Sequence, residues 1–303
     1  MQDLRSYIHL LLLGAAWGGS FLFLRIAAPV LGPFVVTDLR VILGCVLLAS
    51  YAVVSRKKLW PQCSWQQLVV LAAINCAIPF TLIAFTEMHL TASLGSILNA
   101  TTPLYTALLA PLFLSERYSK IQYLGFVVGI TGVVILVGWS PIHFDWITVL
   151  AIAAILAATF FYALGGIYAA QTFPGIPPLS LAFCQQLFAA ILLLPFAIYT
   201  HPVQMPELPV ILAVLGLGII STGIAWLIYF HLIKNVGASK TVTVTYLIPV
   251  FGILWGSLFL GESLSFNTII GLVVVFLGIF LVYSKKKAID KNVNKLNAVE
   301  GKL

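Results

Sequence analysis

The sequence predicts an all-α integral membrane protein with ten transmembrane helices, arranged as two inverted five-helix repeats. Composition is the first observation behind this prediction: 61% of the 303 residues are hydrophobic and 8% are charged, whereas soluble domains average about 25% charged residues. The second observation is a series of apolar stretches, each of the length that a hydrocarbon core about 30 Å thick requires. The third is a segment of the first half that recurs in the second.

The ten apolar stretches fall into two sets of five, separated by linkers too short to hold a soluble domain. In chain order they cover residues 8–27, 34–55, 65–86, 92–114, 120–138, 146–170, 179–200, 208–231, 238–260 and 266–284. Residues 8–138 and 146–284 are therefore the two predicted repeats, and residues 285–303 form a basic tail.

The positive charges predict the orientation, because short cytoplasmic loops are enriched in Lys and Arg. With the N-terminus inside, 14 of the 16 Lys and Arg residues lie on the cytoplasmic side, six of them in the tail, and only Arg25 and Arg40 lie near the outer side. Both termini are therefore expected in the cytoplasm. The net charge of +7 is explained by these anchors, so nucleic acid is not an expected partner.

The internal repeat predicts that the two halves are inverted relative to each other. An ungapped alignment of residues 91–137 with 237–283 has 13 identities in 47 positions, including Pro103 with Pro249 and Glu116 with Glu262. Five spans per half is an odd number, so the second half enters the membrane the opposite way up. The loop at Glu116 is then cytoplasmic and basic, whereas the loop at Glu262 is outside and lacks the positive charges. Such inverted repeats are a transporter architecture with a site near the midplane.

The sequence lacks the motifs that are typical of several enzyme classes and of ATP-driven pumps. There is no HExxH zinc motif, no GxSxG elbow and no P-loop, so we expect neither an enzyme nor an ATP-driven pump. The four cysteines form no CxxC pair and are expected to be packing residues. No metal and no cofactor is expected.

Several motifs together resemble the drug/metabolite transporter superfamily, EamA type. They are WGGSF at residues 17–21, DLR at 38–40, proline-containing fourth and ninth spans, and FLSE or FLGE before a glycine-rich helix. The resemblance covers residues 8–284. It implies a ten-helix transporter that exports or exchanges small metabolites, often amino acids, across a bacterial inner (plasma) membrane. Small relatives that expel cationic drugs use a first-helix glutamate, which this chain lacks in its first and sixth spans.

Polar residues in the fourth and ninth spans are candidates for substrate contact, because polar side chains within a membrane tend to face a cavity or another helix. Pro103 and Pro249 each free the carbonyl one turn earlier, so both are predicted hinges. Interhelical hydrogen bonds and back-bonding to the same helix are the alternatives. The candidate contacts in these spans are Ser96, Asn99, Thr245 and Tyr246.

A second group of candidates is mainly aromatic and recurs at comparable depth in the first, third, sixth and eighth spans. Aromatic rings can form the walls of a pocket for an amphipathic metabolite and can each offer one hydrogen bond. A belt at the membrane interface is the alternative reading. The candidates are Trp17, Asn75, Phe80, Tyr162, Trp226 and Tyr229.

Charged residues within the spans have a different expected use. Asp38 and Arg40 are assigned an architectural role at the start of the second span. His231 and Glu87 are the candidates for coupling to a proton, since histidine titrates near neutral pH. GxxxG pairs such as Gly125 with Gly129 favour close helix packing, within a monomer or in a weak homodimer.

The predicted function is a secondary transporter of small metabolites such as amino acids, working by alternating access. A passive facilitator or channel for the same solutes remains an alternative, and so does efflux of amphipathic drugs. The expected partners are the small-molecule substrate, membrane lipid and a coupled proton.

The inverted topology makes a direct labelling prediction. Single cysteines introduced as Ser115→Cys and Gly261→Cys lie in corresponding loops of the two halves. We expect a membrane-impermeant thiol reagent, added to whole cells, to label the Gly261 variant and not the Ser115 variant, because the two loops face opposite sides. Labelling of both from the same side would contradict the inversion.

Overall fold

The structure is a computed structural model that describes residues 2–114, 119–138, 145–202, 205–237, 241–263 and 265–284. Within these ranges the regular secondary structure is helical and contains no strand. The predicted cytoplasmic tail at 285–303 and the predicted loop at Glu116 lie outside the described residues.

The first helical run contains both of the first two predicted spans. Helix α1 extends over Gln2–Val54, but Gly32 has φ 76° and ψ 162° and interrupts the helical geometry. Only glycine adopts such a conformation readily, and Pro29 and Pro33 flank it. A run of this length corresponds to about two membrane crossings, which meet at Gly32.

The third predicted span is a helix that widens in its middle. Helix α2 covers Trp65–Ala72, a π-helical segment covers Ala73–Ala77 and helix α3 covers Ile78–His89. Pro79 has no N–H and its ring crowds the carbonyl four residues earlier, which is that of Asn75. The backbone N–H of Ile78 accordingly donates to the Ala73 carbonyl, five residues back, and the wider turn accommodates the proline.

The fourth predicted span is interrupted rather than kinked. Helix α4 covers Ala92–Asn99 and helix α5 covers Thr102–Leu114. The backbone N–H of Ala100 donates to Ile97, and that of Leu104 donates to Thr101. Pro103 is thus the second residue of α5, a position where its missing N–H is tolerated, and the expectation of a proline inside a continuous helix is wrong here.

The remaining helices, among them α7 (Trp146–Thr172), begin and end within two residues of the predicted spans, except that the eighth span ends at Val236 and the α-helix of the ninth begins only at Leu247. Asp145 caps α7: the Thr148 N–H donates to Asp145 Oδ1 over 2.8 Å, and this backbone hydrogen bond lowers the pKa of the exposed carboxyl. These helices are α6 (Lys120–Gly138), α7 (Trp146–Thr172), α8 (Pro178–Tyr199), α9 (Leu208–Leu215), α10 (Ala225–Val236), α11 (Leu247–Leu260) and α12 (Phe266–Ser284).

Two further segments depart from α-helical geometry. A second π-helical segment at Gly216–Ile224 joins α9 to α10, and a 3₁₀ helix at Val242–Tyr246 precedes α11. Pro249 is the third residue of α11. Like Pro103, it lies in the first turn of a helix that follows a change in helical geometry.

The chain divides into two compact units by packing. The first comprises the described parts of residues 1–100 and 143–263, and the second those of 101–142 and 264–303. In the second unit, α6 and α12 form a close pair, against which α5 also packs. Each unit contains segments from both predicted repeats.

Within the described residues, six helices are long and apolar enough to cross a membrane. Two shorter apolar helices, Lys120–Leu136 and Phe266–Val282, belong to the second unit. The six are Leu4–Val54, Trp65–His89, Trp146–Thr172, Pro178–Tyr199, Leu208–Val236 and Thr243–Leu260.

The α6–α12 contact predicts a specific sensitivity to added volume. A Cβ atom at Gly125 would lie 2.7 Å from the Val282 backbone nitrogen and 2.9 Å from the Gly278 carbonyl oxygen. Because backbone atoms cannot rotate away, Gly125→Ala should destabilise the protein by about 1–3 kcal/mol, measured by thermal unfolding in detergent. Gly166→Ala is the control, since a Cβ there meets nothing within 4 Å. Equal melting temperatures for the two variants would contradict this packing.

Candidate functional site

The two π-helical segments position polar side chains in the interior of the first unit. The segment Ala73–Ala77 carries Asn75, and the segment Gly216–Ile224 carries Thr222. A π-helical turn re-aims side chains relative to the α-helix on either side, and such turns are frequent at functional sites. Both segments lie within helices that are otherwise apolar.

Asn75 is held by a glutamine from another helix. Its Nδ2 donates to Gln185 Oε1 on α8 over 2.6 Å, and the Cys76 thiol lies 3.8 Å from the same oxygen. Gly165 on α7 leaves room for the Asn75 side chain, because a Cβ at that position would lie 2.7 Å from Asn75 Oδ1. Three elements thus meet around one buried amide pair.

Arg40 on α1 is also buried, with 6% of its surface exposed. Its Nε donates to Thr222 Oγ1 over 3.0 Å, and its guanidinium carbon lies 3.9 Å above the centre of the Phe80 ring. Thr222 in turn donates to the Leu217 carbonyl, five residues back, so its hydroxyl presents a lone pair to Arg40. Tyr162 and Cys76 are close enough to interact electrostatically with the guanidinium.

Small residues allow α1 to approach the second π-helical segment closely enough for this hydrogen bond. A Cβ at Gly44 would overlap with the Thr222 side chain, and one at Gly223 would lie 2.9 Å from Leu47 Cβ. The same approach places Arg40 opposite Thr222. Glycines on both sides of the contact therefore position the arginine.

Phe80 and Tyr162, two of the predicted site residues, lie beside Arg40, and a third, Asn75, is linked to them through Gln185 and Cys76. The Phe80 and Tyr162 rings are 6.1 Å apart in an edge arrangement, and both belong to one hydrophobic cluster. We refer to Arg40, Asn75, Phe80, Tyr162, Gln185 and Thr222 as the Arg40 cluster.

A second group of predicted residues forms a separate aromatic cluster. Trp17 lies 6.2 Å from Trp226 and 5.5 Å from Tyr229, ring centre to ring centre, and Trp226 lies 5.5 Å from Tyr229. All three side chains are partly exposed. Trp226 follows Thr222 by four residues, about one helical turn, so this cluster begins one turn away from the Arg40 cluster.

The other predicted contacts are placed elsewhere. Ser96 on α4 is buried, and its hydroxyl donates to the Ser93 carbonyl of the same helix. It packs against Gly252 on α11, where an added Cβ would overlap with the Ser96 side chain. Asn99 is the last residue of α4 and is partly exposed. Thr245 and Tyr246 lie in the 3₁₀ helix before α11 and are also partly exposed.

The two candidates for proton coupling are in different surroundings. Glu87 on α3 is fully buried, and neither carboxylate oxygen has a hydrogen-bond partner among the described residues. Arg25 donates to the Glu87 backbone carbonyl over 2.7 Å, and Gly95 leaves space for the carboxylate. His231 is exposed on α10 and its ring stacks on that of His9, 4.7 Å away.

Glu262 lies near Glu87 and has a structural partner of its own. Its oxygens accept hydrogen bonds from the backbone N–H groups of Ala92 and Ser93, at 2.7 and 3.0 Å, and from the Ser93 hydroxyl. A carboxylate at a helix N-terminus satisfies donors that have no partner within the helix. Glu262 therefore caps α4 across 170 residues of sequence.

A groove of about 590 Å³ lies on the first unit, and its lining is almost entirely apolar. Trp255 and Phe259 contribute aromatic surface, and Gly19 and Ile26 lie on α1. None of the predicted site residues lines this groove.

Within the part of the chain that the structure describes, no three His, Cys, Asp or Glu residues are grouped as a metal site would require. The Arg40 cluster instead combines one cation, two amides, a phenol and an aromatic face, which suits a small polar or amphipathic organic molecule.

Three residues of the Arg40 cluster were not among the predicted contacts. Arg40 was assigned to architecture, while Gln185 and Thr222 were not assigned to a site. The signal that identifies them is the same one that identified Asn75, namely a polar side chain inside an apolar span. Their mutual proximity depends on contacts between residues that are 110 and 182 apart in the chain.

Comparison with protein families gives a match over almost the whole chain. The model of the EamA-like transporter family matches twice, at residues 4–138 and at residues 149–284. Both matches contain residues of the Arg40 cluster.

Individual relatives are similar over most of their length. The uncharacterized transporter YvbV of Bacillus subtilis is 25% identical over 287 residues, covering 94% of this chain and 93% of its own. The uncharacterized inner membrane transporter YedA of Escherichia coli K12 is 24% identical over 271 residues, covering 88% and 86% of the two chains. A crystal structure of a protein with 18% sequence identity matches with a TM-score of 0.67 over 94% of this chain and 98% of that one, which indicates a shared fold.

Proposed function

The chain belongs to the EamA-like transporter family, and on that premise we propose that it is a secondary transporter of small metabolites such as amino acids. In this proposal the substrate crosses by alternating access between the two sides of the membrane. As in the inner membrane transporter named above, the membrane is the bacterial inner membrane, and both termini are cytoplasmic.

The observation that carries this proposal is the buried Arg40 cluster, whose polar side chains lie on apolar helices of the first unit. Burying polar and charged side chains within a membrane is costly, and such residues mark substrate or ion pathways. Arg40, Asn75 and Gln185 come from three different helical elements. A substrate bound among them would contact several helices at once, as a carrier requires.

The aromatic cluster of Trp17, Trp226 and Tyr229 supports an amphipathic substrate. Its rings are in contact with one another yet partly exposed, so they offer apolar surface together with polar N–H and O–H groups. In our proposal these rings hold the apolar portion of the substrate during passage. Asn99, Thr245 and Tyr246 then contact the substrate in other states of the cycle.

Alternating access would follow from the inverted repeat. Two related five-helix halves can adopt two equivalent packings about a midplane site. Pro103 and Pro249 occupy matched places in the repeat, each in the first turn of a helix after a change of helical geometry. We assign the two proline segments as the hinges.

Trp226→Ala provides a test of the proposed site. In proteoliposomes preloaded with unlabelled amino acids, we expect the purified protein to show saturable counterflow of a labelled amino acid. Losing the ring contacts should raise KM about 5-fold, because such aromatic contacts contribute about 1 kcal/mol, while thermal unfolding still shows a cooperative transition.

Trp146→Ala is the matched control, because Trp146 is 73% exposed at the start of α7. It should leave both kinetic constants unchanged. Flux without counterflow would instead indicate a passive facilitator. Normal KM in the Trp226 variant would remove the aromatic cluster from the site.

We also propose that Glu87 couples transport to a proton. Its carboxylate is buried without a hydrogen bond among the described residues, with Arg25 and Glu262 as the charged groups acting on it. A carboxylate in such a place can exchange a proton as water gains and loses access during the cycle. The other candidate for proton coupling, His231, is exposed and stacks on His9, so in our proposal it would exchange protons at the membrane surface.

Glu87→Gln should separate coupling from transport. The amide has the same shape but carries no titratable proton, so uptake should no longer respond to a pH gradient across the liposome, while counterflow at equal pH continues. Glu207→Gln is the control, because Glu207 is exposed before α9. A gradient response equal to that of the unmodified protein would exclude Glu87 as the coupling group.

A further inference from the structure

Arg40 is a buried cation with only part of its hydrogen-bonding capacity used. Within the described ranges it makes one hydrogen bond, from Nε to Thr222. A guanidinium carries five N–H donors, so the four on its two terminal nitrogens have no acceptor there. Phe80 covers one face of the group, so the N–H groups of the two terminal nitrogens remain for a ligand to use.

No carboxylate of the described chain neutralises this charge. Asp38 is also buried on α1, but it forms no ion pair with Arg40, and its Oδ1 has no hydrogen-bond partner among the described residues. Side chains two residues apart on a helix do not face each other. Because buried charges in proteins are normally paired, the structure leaves a place for an anion at Arg40.

Other buried polar groups on the helical segments that carry the Arg40 cluster also lack partners within the described ranges. Thr37 lies one turn before Arg40 on α1, Gln186 follows Gln185, and Ser221 precedes Thr222. All three are fully buried, and their side chains make no hydrogen bond there. Unsatisfied buried groups are uncommon in folded proteins, and of these three Thr37 shares a helix face with Arg40, where a polar ligand would supply its missing partner.

We propose that the Arg40 guanidinium binds the carboxylate of the transported molecule, which is therefore an organic acid or an amino acid with an apolar or aromatic side group. This inference rests on the proposed transport function and adds the chemical class of its substrate. A carboxylate matches the two terminal nitrogens of a guanidinium in a bidentate geometry.

The rest of the cluster determines what else the molecule carries. Phe80 and Tyr162 provide aromatic surface beside the cation, which suits an apolar group close to the carboxylate. The Asn75–Gln185 pair supplies amide groups for one further polar substituent. A cationic amine without an acid group would place like charges together and is excluded from this site.

The test compares acids with their neutral amides. The purified full-length protein is titrated with a series of carboxylates from acetate to 3-phenylpropionate, and with the amide of each, while thermal unfolding is followed. A ligand raises the melting temperature according to its affinity. We expect at least one carboxylate to stabilise the protein where its amide does not, with a dissociation constant about 10-fold or more below that of the amide. If every acid and its amide stabilise equally, or none stabilises, the proposal is overturned.

Variants assign the effect to Arg40. Arg40→Gln should remove the preference for the acid, Arg40→Lys should retain part of it because the charge remains without the bidentate fork, and Thr222→Val should weaken it by loosening the guanidinium. Arg5→Gln removes an exposed arginine and should change nothing. An acid preference that persists in Arg40→Gln overturns the proposal. If that variant fails to fold, the comparison of acids and amides on the unmodified protein decides.

Two further experiments distinguish a carboxylate from other anions, and failure of the substrate class from failure of the proposed transport function. Inorganic phosphate and anionic lipid are added in place of the acids, and stabilisation by these alone would assign the site to a different anion and overturn the proposal. Counterflow of a solute without a carboxylate would overturn the substrate class while the transport function stands. Acid-specific binding without flux of any solute would remove the transport function and retain the anion site.

Discussion

The cost of placing polar groups in hydrocarbon governs this structure. Helix formation removes most of this cost for the backbone, since a helix pairs its own N–H and C=O groups within the membrane. Polar side chains offset the cost by hydrogen bonding to one another or to the backbone, as when Glu262 caps α4 or Asn75 donates to Gln185. Arg40, like the buried Glu87 and Asp38, is not balanced in this way, because its single hydrogen bond and one aromatic face do not offset a full charge.

The departures from α-helical geometry coincide with the polar interior. Pro79 widens one helix into the π-helical turn that carries Asn75, and a second such turn carries Thr222. A regular α-helix would aim these side chains differently. Within a membrane, irregular backbone is tolerated only where it is buried in protein or lines a cavity. Here the two π-helical turns are such irregular segments, and they carry residues of the Arg40 cluster.

The family matches confirm the resemblance that the motifs indicated, and they agree with a polytopic helical transporter. They leave the substrate open, since the relatives named above are themselves called uncharacterized transporters. The chemistry of the Arg40 cluster is therefore the more specific guide. In our proposal, the cation, two amides and aromatic faces of the cluster favour an acidic or zwitterionic amphipathic substrate.

Sequence alone predicted apolar helical segments and a list of candidate side chains, because span length, apolar composition and a polar residue within a span are local properties. Only the tertiary structure decided which candidates meet. Arg40 and Thr222 are 182 residues apart, and their contact depends on how closely α1 approaches a π-helical turn. Likewise, Pro103 was identified from its matched position, but whether it kinks a helix or begins a new one depends on hydrogen bonds formed only in the folded chain.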